Sequence, residues 1–147
     1  MPGYSHFFSK EEHQSILDAI RIAEKKTSGE IRVHLEDHCD HFPEDRAAYV
    51  FDRLDMHRTA ERNGVLFYLA VLDKQFAIIG DLGIHERVGT DFWSSLRDIL
   101  ESEFKQGKFK EGMIACIDKM GESLSQFFPY QGDDKNELSD EISTGKI

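Results

Sequence analysis

The chain has 147 residues and a mass of 16.9 kDa, which fits one domain with its own hydrophobic core. Its 28 acidic and 18 basic residues give a formal net charge of −10. Such a charge disfavours contact with phosphate backbones and anionic lipid headgroups, so we expect no nucleic-acid partner and no electrostatic docking to membranes. Hydrophobic residues make up 39% of the chain, which favours a globular fold over disorder.

Cysteine usage and apolar runs indicate the class of protein. Cys39 and Cys116 are the two cysteines, too few for a disulfide framework or a thiolate zinc site. The first ten residues lack a basic start followed by an apolar run, so we expect no signal peptide. The longest apolar run, 65–72, is much shorter than the roughly 20 residues that cross a bilayer. The sequence predicts a soluble, cytoplasmic protein.

The first two elements are an amphipathic helix and a strand. Ser9 and Glu12 have the spacing of a capping box, which predicts a helix over 9–26. After Gly29, apolar and polar residues alternate over 30–36. This alternation predicts a strand with one apolar face.

A second helix and a hairpin follow. Pro43 suits the first turn of a helix, predicted over 43–61. Residues 65–72 are apolar on both faces, which predicts a central strand covered on both sides. A tight turn at 73–74 then leads to an antiparallel strand over 76–79.

The rest of the chain is predicted to be a loop, two helices and a tail. Glycines at both ends of Gly80-Asp81-Leu82-Gly83 predict a loop over 80–90, followed by helices over 91–105 and 109–127. The tail, 131–147, has five acids, two lysines and few large apolar residues, so we expect disorder there. We therefore predict one domain over 1–130 and an acidic, disordered tail over 131–147.

The order of these elements predicts the fold class. A strand–helix–strand unit crosses over with a right hand, so its two strands are parallel. The hairpin adds an antiparallel strand, and helices cover both faces. The sequence therefore predicts an α/β protein, a three-layer α/β/α sandwich with a small mixed β-sheet.

This topology predicts a meeting of polar residues at one end of the sheet. Two parallel strands begin at the same end, and the antiparallel third strand finishes there. Glu30, Asn63 and Asp81 occupy these three strand ends, and Asp91 begins the following helix. Hard cations such as calcium take six to eight oxygens from carboxylates, amides, carbonyls and water. The pattern predicts a divalent-cation site centred on Asp81.

A simpler interpretation covers the same four residues. Asp81 can be a turn residue and Asn63 a helix C-cap. Asp91 then complements the helix dipole, and Glu30 is a surface position on a strand. Spacing alone leaves both interpretations open.

Four metal-capable side chains crowd the end of the first strand: His34, His38, Cys39 and His41. Imidazole and thiolate favour zinc or copper. Their spacing matches no standard zinc pattern, so adventitious binding by a solvated loop is the favoured interpretation. No motif in the sequence identifies a catalytic nucleophile.

Several stretches across 7–129 together resemble the TPM domain family: 27–33, 62–70, 78–84, Phe92-Trp93 and Phe128-Pro129. The resemblance implies an α/β/α sandwich with a calcium site among loops at one end of the sheet. Carried over by position, that site includes Asp81 and Glu30, with Asp91 as a further candidate. Many family members have a signal peptide and a transmembrane helix. We expect neither here, which is typical of the stand-alone bacterial-type branch.

The sequence supports three functional hypotheses. The first is a calcium-binding domain with a regulatory or interaction role. Family members are often described as phosphatases, so the second is a metal-assisted acid phosphatase, a phosphomonoesterase for a phosphorylated small molecule. There the cation lowers the pKa of a bound water, and Arg32 or Arg62 clamps the phosphate. The third is a scaffold whose tail or sheet edge binds an unidentified protein partner.

Overall fold

The computed structural model describes residues 3–130 and 142–145, with Tyr4 and Ser5 described by their backbone alone. Six helices, one 3-10 turn and four strands occupy this part of the chain. In chain order they are α1 (Tyr4–Phe7), α2 (Lys10–Glu24), β1 (Glu30–Glu36), α3 (Pro43–Arg53), the 3-10 turn (Met56–Arg58), β2 (Gly64–Ala70), β3 (Gln75–Gly80), α4 (Leu82–Val88), α5 (Thr90–Lys105), α6 (Phe109–Phe127) and β4 (Ser143–Thr144).

The four strands form one mixed sheet in the order β3-β2-β1-β4. β1 and β2 are parallel, in a register that pairs Glu30 with Gly64. β2 and β3 form the antiparallel hairpin, in which Val65 pairs with Gly80. The predicted parallel unit and the predicted hairpin are therefore both confirmed.

Helices cover both faces of this sheet, as the predicted three-layer sandwich requires. On one face, α2, α5 and α6 pack against alternate residues of β1 and β2, such as Val33 and Phe67, in the larger core cluster. On the other face, α3 packs against Leu66 and Tyr68 of β2 and Ala77 of β3. Because both faces are covered, every residue of β2 is buried, which explains its continuous apolar run.

The second helix is shorter than predicted. α3 ends at Arg53, whereas the sequence predicts a helix to residue 61. Asp55 adopts a left-handed backbone with φ of 56°, which stops the helix and begins the 3-10 turn. The chain reversal buries Met56 fully in the core cluster beneath α3.

The predicted loop over 80–90 instead contains α4. The side chain of Asp81 lies at the N-cap of this helix and accepts a hydrogen bond from the Leu82 backbone N–H. Gly89, with φ of 75°, separates α4 from α5. The glycines at 80 and 83 predicted a loop. Asp81, however, satisfies a backbone N–H of the first turn, and this N-cap is enough to start a short helix.

The C-terminal segment adds a strand that the sequence analysis did not predict. Residues 143 and 144 pair in parallel with His34 and Leu35 of β1, and Ile142 is buried. The Gly145 N–H donates to the Leu35 carbonyl at 2.8 Å. The expected disorder over 131–147 therefore does not hold for 142–145. The other residues of that tail lie outside the described part of the chain.

Candidate functional site

The sheet corner is the place where β1 and β2 begin and β3 ends. Backbone hydrogen bonds hold its three segments together: Glu30 N–H donates to the Asn63 carbonyl at 3.3 Å, and Asp81 N–H donates to the Gly64 carbonyl at 3.0 Å. Gly83 N–H donates to the Arg62 carbonyl at 2.9 Å. The structure thus brings Glu30, Asn63 and Asp81 to one end of the sheet, as the topology predicted.

Asp81 is the acid of the sheet corner that caps α4. It is only 4% exposed. Arg62 donates to both of its carboxylate oxygens, from Nε and from Nη2, at 2.8 Å each. His57 Nδ1 lies 3.4 Å from Asp81 Oδ2. Burial alone raises the pKa of Asp81, but the hydrogen bonds from Arg62 and Leu82 outweigh it and hold that pKa below its usual value. Asp81 is therefore ionised at neutral pH.

Asn63 supplies a buried oxygen without a hydrogen-bond partner. The residue is 1% exposed. Its backbone N–H donates to Thr59 Oγ1 at 3.0 Å, and its Nδ2 donates to Ser28 Oγ at 3.4 Å. Its Oδ1 has no hydrogen bond. A buried acceptor left unpaired costs about 1–3 kcal/mol, so a donor or a cation at this position would be stabilising.

The other two predicted ligands differ in their surroundings. Glu30 is buried, with 5% of its surface exposed, at the start of β1. Asp91 lies in the first turn of α5 and is exposed. The structure therefore places three of the four predicted residues, Glu30, Asn63 and Asp81, at the sheet corner, and it places Asp91 at the exposed start of α5.

The donor set of the sheet corner fits a hard cation only if amide and carbonyl oxygens take part. Over 3–130 and 142–145, no three histidine, cysteine, aspartate or glutamate side chains form a metal-binding group. Asp81 and the unpartnered Asn63 Oδ1 are the oxygen donors that would hold calcium, with backbone carbonyls beside them. The guanidinium of Arg62 is the cation that now neutralises Asp81.

A second polar cluster, which the sequence analysis missed, lies at the far end of β1. The Glu36 carboxylate is 3% exposed. Arg46 donates to it from Nε and Nη2 at 2.7 Å each, and the Tyr68 hydroxyl donates to it as well. Burial alone raises the pKa of Glu36, but these hydrogen bonds lower it overall. The alternation over 30–36 did place Glu36 on the polar face, but that face is covered rather than solvated.

His34 extends this cluster to the C-terminal strand. It is fully buried, its Nδ1 lies 2.7 Å from Ser143 Oγ, and its Nε2 lies 3.8 Å from Glu36 Oε1 without a hydrogen bond. Burial lowers the pKa of His34, so the imidazole is neutral at pH 7. His34 is thus a buried structural residue.

The four metal-capable residues near β1 are not assembled into a metal site. His34 is buried, whereas His38 is exposed and pairs with Asp73 at 2.9 Å. The Cys39 thiol donates to the His41 carbonyl at 3.1 Å. A zinc or copper site therefore has no geometric support among the described residues.

Within the described residues, the helices are too short or too polar to span a bilayer.

Comparison with known proteins places the chain in a family. The model of the TPM domain matches residues 3–123. The chain is similar to the BA42 protein of the psychrophilic bacterium Bizionia argentinensis, solved by NMR, with 48% identity and a TM-score of 0.91. That match covers 99% of this chain and 100% of BA42. A search of curated proteins found no match.

More distant structures share the fold. The N-terminal domain of the cg2496 protein from Corynebacterium glutamicum has 14% identity and a TM-score of 0.66, over 99% of this chain and 84% of that one. An N-terminal domain of a P. gingivalis protein has 16% identity and a TM-score of 0.67, over 88% and 85%. Because the family model covers most of the sequence, the chain belongs to the TPM domain family.

Proposed function

We propose that this TPM domain binds a divalent cation, calcium in the first instance, at the sheet corner and serves a regulatory or interaction role. The observation that carries the proposal is the buried Asn63 Oδ1, which lacks a hydrogen bond at the same sheet end as the ionised Asp81. An amide oxygen and a carboxylate are ligands that calcium accepts. Glu30, buried at the start of β1, is the further candidate ligand.

Arg62 determines how accessible Asp81 is to such a cation. Its side chain is 43% exposed, whereas that of Asp81 is 2% exposed. Arg62 therefore covers the carboxylate from the solvent side, and its own positive charge opposes a second cation. Binding requires the guanidinium to move away from Asp81, which its exposure permits.

An NMR titration with calcium chloride tests the proposal. We expect amide shifts confined to residues 28–32, 62–64 and 80–83, and loss of these shifts in Asp81→Asn. Asparagine is as good an N-cap as aspartate, so α4 keeps its cap in this variant. Asp98→Asn, an exposed change on α5, is the matched control and should titrate like the unmodified protein. Shifts that are absent, or that persist in Asp81→Asn, would overturn the proposal.

The same variants test the alternative, a metal-assisted phosphomonoesterase. In that hypothesis the cation supplies an activated water, and Arg62 clamps the phosphate. The Nε and Nη2 of Arg62 both donate to Asp81, so this hypothesis also requires the guanidinium to leave Asp81 before it binds phosphate. Hydrolysis of an aryl phosphate that needs calcium and is lost in Asp81→Asn would support the enzyme. Hydrolysis that survives both chelation and this substitution would point to a contaminant.

A further inference from the structure

A cleft separate from the sheet corner lies between the β1–α3 connection and the start of β3. Its cavity of about 610 Å³ is lined by residues 39–43, Asp45 and Gln75. We call it the 39–45 cleft. Phe42 is 76% exposed, and exposure of so large an apolar side chain to water is unfavourable. Exposed apolar groups surrounded by polar residues are typical of interaction sites.

The walls of the 39–45 cleft are fixed by local contacts. The Cys39 backbone N–H donates to Asp73 Oδ2 at 2.7 Å, which ties the connection to the β2–β3 hairpin. The Cys39 thiol donates to the His41 carbonyl, and Pro43 begins α3 directly after Phe42. A partner would therefore meet a preformed surface and would order little of this protein on binding.

Two acids, Asp40 and Asp45, line the 39–45 cleft, and no lysine or arginine lines it. The stretch 37–45 contains four acids and no lysine or arginine. Asp40 and Asp45 are exposed, and neither forms a salt bridge or side-chain hydrogen bond with the described residues. The guanidinium that follows them in sequence, on Arg46, is already paired with Glu36. The net charge of −10 adds a long-range attraction between the protein and a basic partner.

We propose that the 39–45 cleft docks a basic segment of a partner protein. A lysine or arginine of that segment lies over the Phe42 ring, with its charge against Asp40 and Asp45. An aromatic face and two unpaired carboxylates are the groups that recognise such a cation. Tyr49, 48% exposed and two helical turns beyond Phe42, extends the aromatic surface along α3.

An NMR titration with a short, end-blocked peptide of alternating lysine and glycine tests this proposal. EDTA is present throughout, so the result is independent of cation binding at the sheet corner. We expect shifts at residues 39–45, weakened by salt. Phe42→Ala should weaken binding about two- to fivefold, as expected for loss of an exposed cation–π contact. Asp40→Asn should weaken it and reduce its salt dependence.

Another cleft that contains two acids, on α5, provides the matched control. Asp98, Glu101 and Ser102 line a cleft of about 490 Å³ on α5, together with Lys105 and Gln106 and without an aromatic side chain. Asp98→Asn should leave peptide binding unchanged. Equal shifts at both clefts, or full binding by Phe42→Ala, would overturn the proposal. Concentration-dependent shifts at 39–45 without peptide would also overturn it and identify a second copy of the chain as the occupant. An equal response to a glutamate–glycine peptide would contradict the charge argument.

Discussion

Arg62 and Asp81 form a two-point ion pair at the sheet corner, with both guanidinium–carboxylate distances at 2.8 Å. Arg62 precedes β2 and has a left-handed φ of 52°, while Asp81 follows β3 and caps α4. One pair of side chains therefore joins the entry of one strand to the exit of the next. It also puts a positive charge where a divalent cation is expected to bind.

Removing this charge should strengthen calcium binding. In Arg62→Gln the Asp81 carboxylate loses its competing cation, so we expect the calcium dissociation constant to fall several-fold in isothermal titration calorimetry. Arg58→Gln, an exposed change on the neighbouring 3-10 turn, is the control and should have little effect. Unchanged affinity in Arg62→Gln would mean that calcium does not bind at Asp81.

Gly83 is predicted to tolerate no side chain. A Cβ there would lie 2.2 Å from the Glu61 carbonyl and 2.8 Å from the Arg62 carbonyl, and both are backbone atoms. We expect Gly83→Ala to lower the free energy of unfolding by about 1–3 kcal/mol or more. Thermal denaturation should show a drop of about 2–4 °C for each kcal/mol. Leu82→Ala, at a position 60% exposed, should stay close to the parent; equal melting of the two variants would refute the argument.

His34 should make stability depend on pH. Burial lowers its pKa from the ordinary 6.5, so below pH 6.5 the unfolded chain takes up a proton that the folded chain does not. The contribution of His34 to the free energy of unfolding is therefore fully present above pH 6.5. It is lost as the pH falls toward the folded-state pKa, by at most about 1.4 kcal/mol per pH unit. Urea denaturation between pH 5 and 7 should show this slope, reduced in His34→Gln.

His38 provides a control of opposite sign. The hydrogen bond that His38 donates to the Asp73 carboxylate raises the pKa of this exposed histidine above 6.5, so its stabilising contribution is present at low pH and is lost as the pH rises. In His38→Gln, the free energy of unfolding should therefore fall on acidification at least as steeply as in the unmodified protein. A pH slope that is unchanged in His34→Gln would show that His34 is not its source.

The Tyr68 hydroxyl should stabilise the buried Glu36 carboxylate. Tyr68→Phe removes one donor from Glu36 and leaves the two hydrogen bonds from Arg46. We expect a loss of about 1–3 kcal/mol in the free energy of unfolding by urea, because a buried charged acceptor loses a partner. Tyr49→Phe, at a half-exposed position on α3, is the matched control. If Tyr68→Phe lowers the free energy of unfolding no more than Tyr49→Phe does, the Tyr68 hydroxyl does not stabilise the Glu36 carboxylate.

The central part of the fold could be predicted because its signals are local. The alternation over 30–36, the apolar run over 65–72 and the turn before Gln75 each specify a strand through neighbouring residues alone. The helix that lies between these two strands in sequence then predicts that β1 and β2 are parallel. These features predicted that Glu30, Asn63 and Asp81 share one end of the sheet.

The parts that were missed depend on contacts distant in sequence. α4 begins in a glycine-containing stretch, and Gly83 is required there by the carbonyls of Glu61 and Arg62, which no local pattern reveals. β4 has two residues, too few for a periodic signal. The phosphatase hypothesis gave Arg32 or Arg62 the role of clamping phosphate, and the structure shows Arg62 paired with Asp81, a partner that charge alone does not specify. His34 lies on the polar face of β1, which is covered in the structure. Because a polar residue type normally indicates exposure, its burial could not be predicted from the sequence.

The position of β4 beside β1 has a consequence for the order of folding. The contact between His34 and Ser143 joins residues 109 positions apart, whereas the β2–β3 hairpin closes over a few residues. Closing the longer span costs more chain entropy and is slower. We therefore expect the outer edge of β1 to be the last part of the sheet to acquire a neighbour, and protection of the Gly145 amide should mark the final stage of refolding.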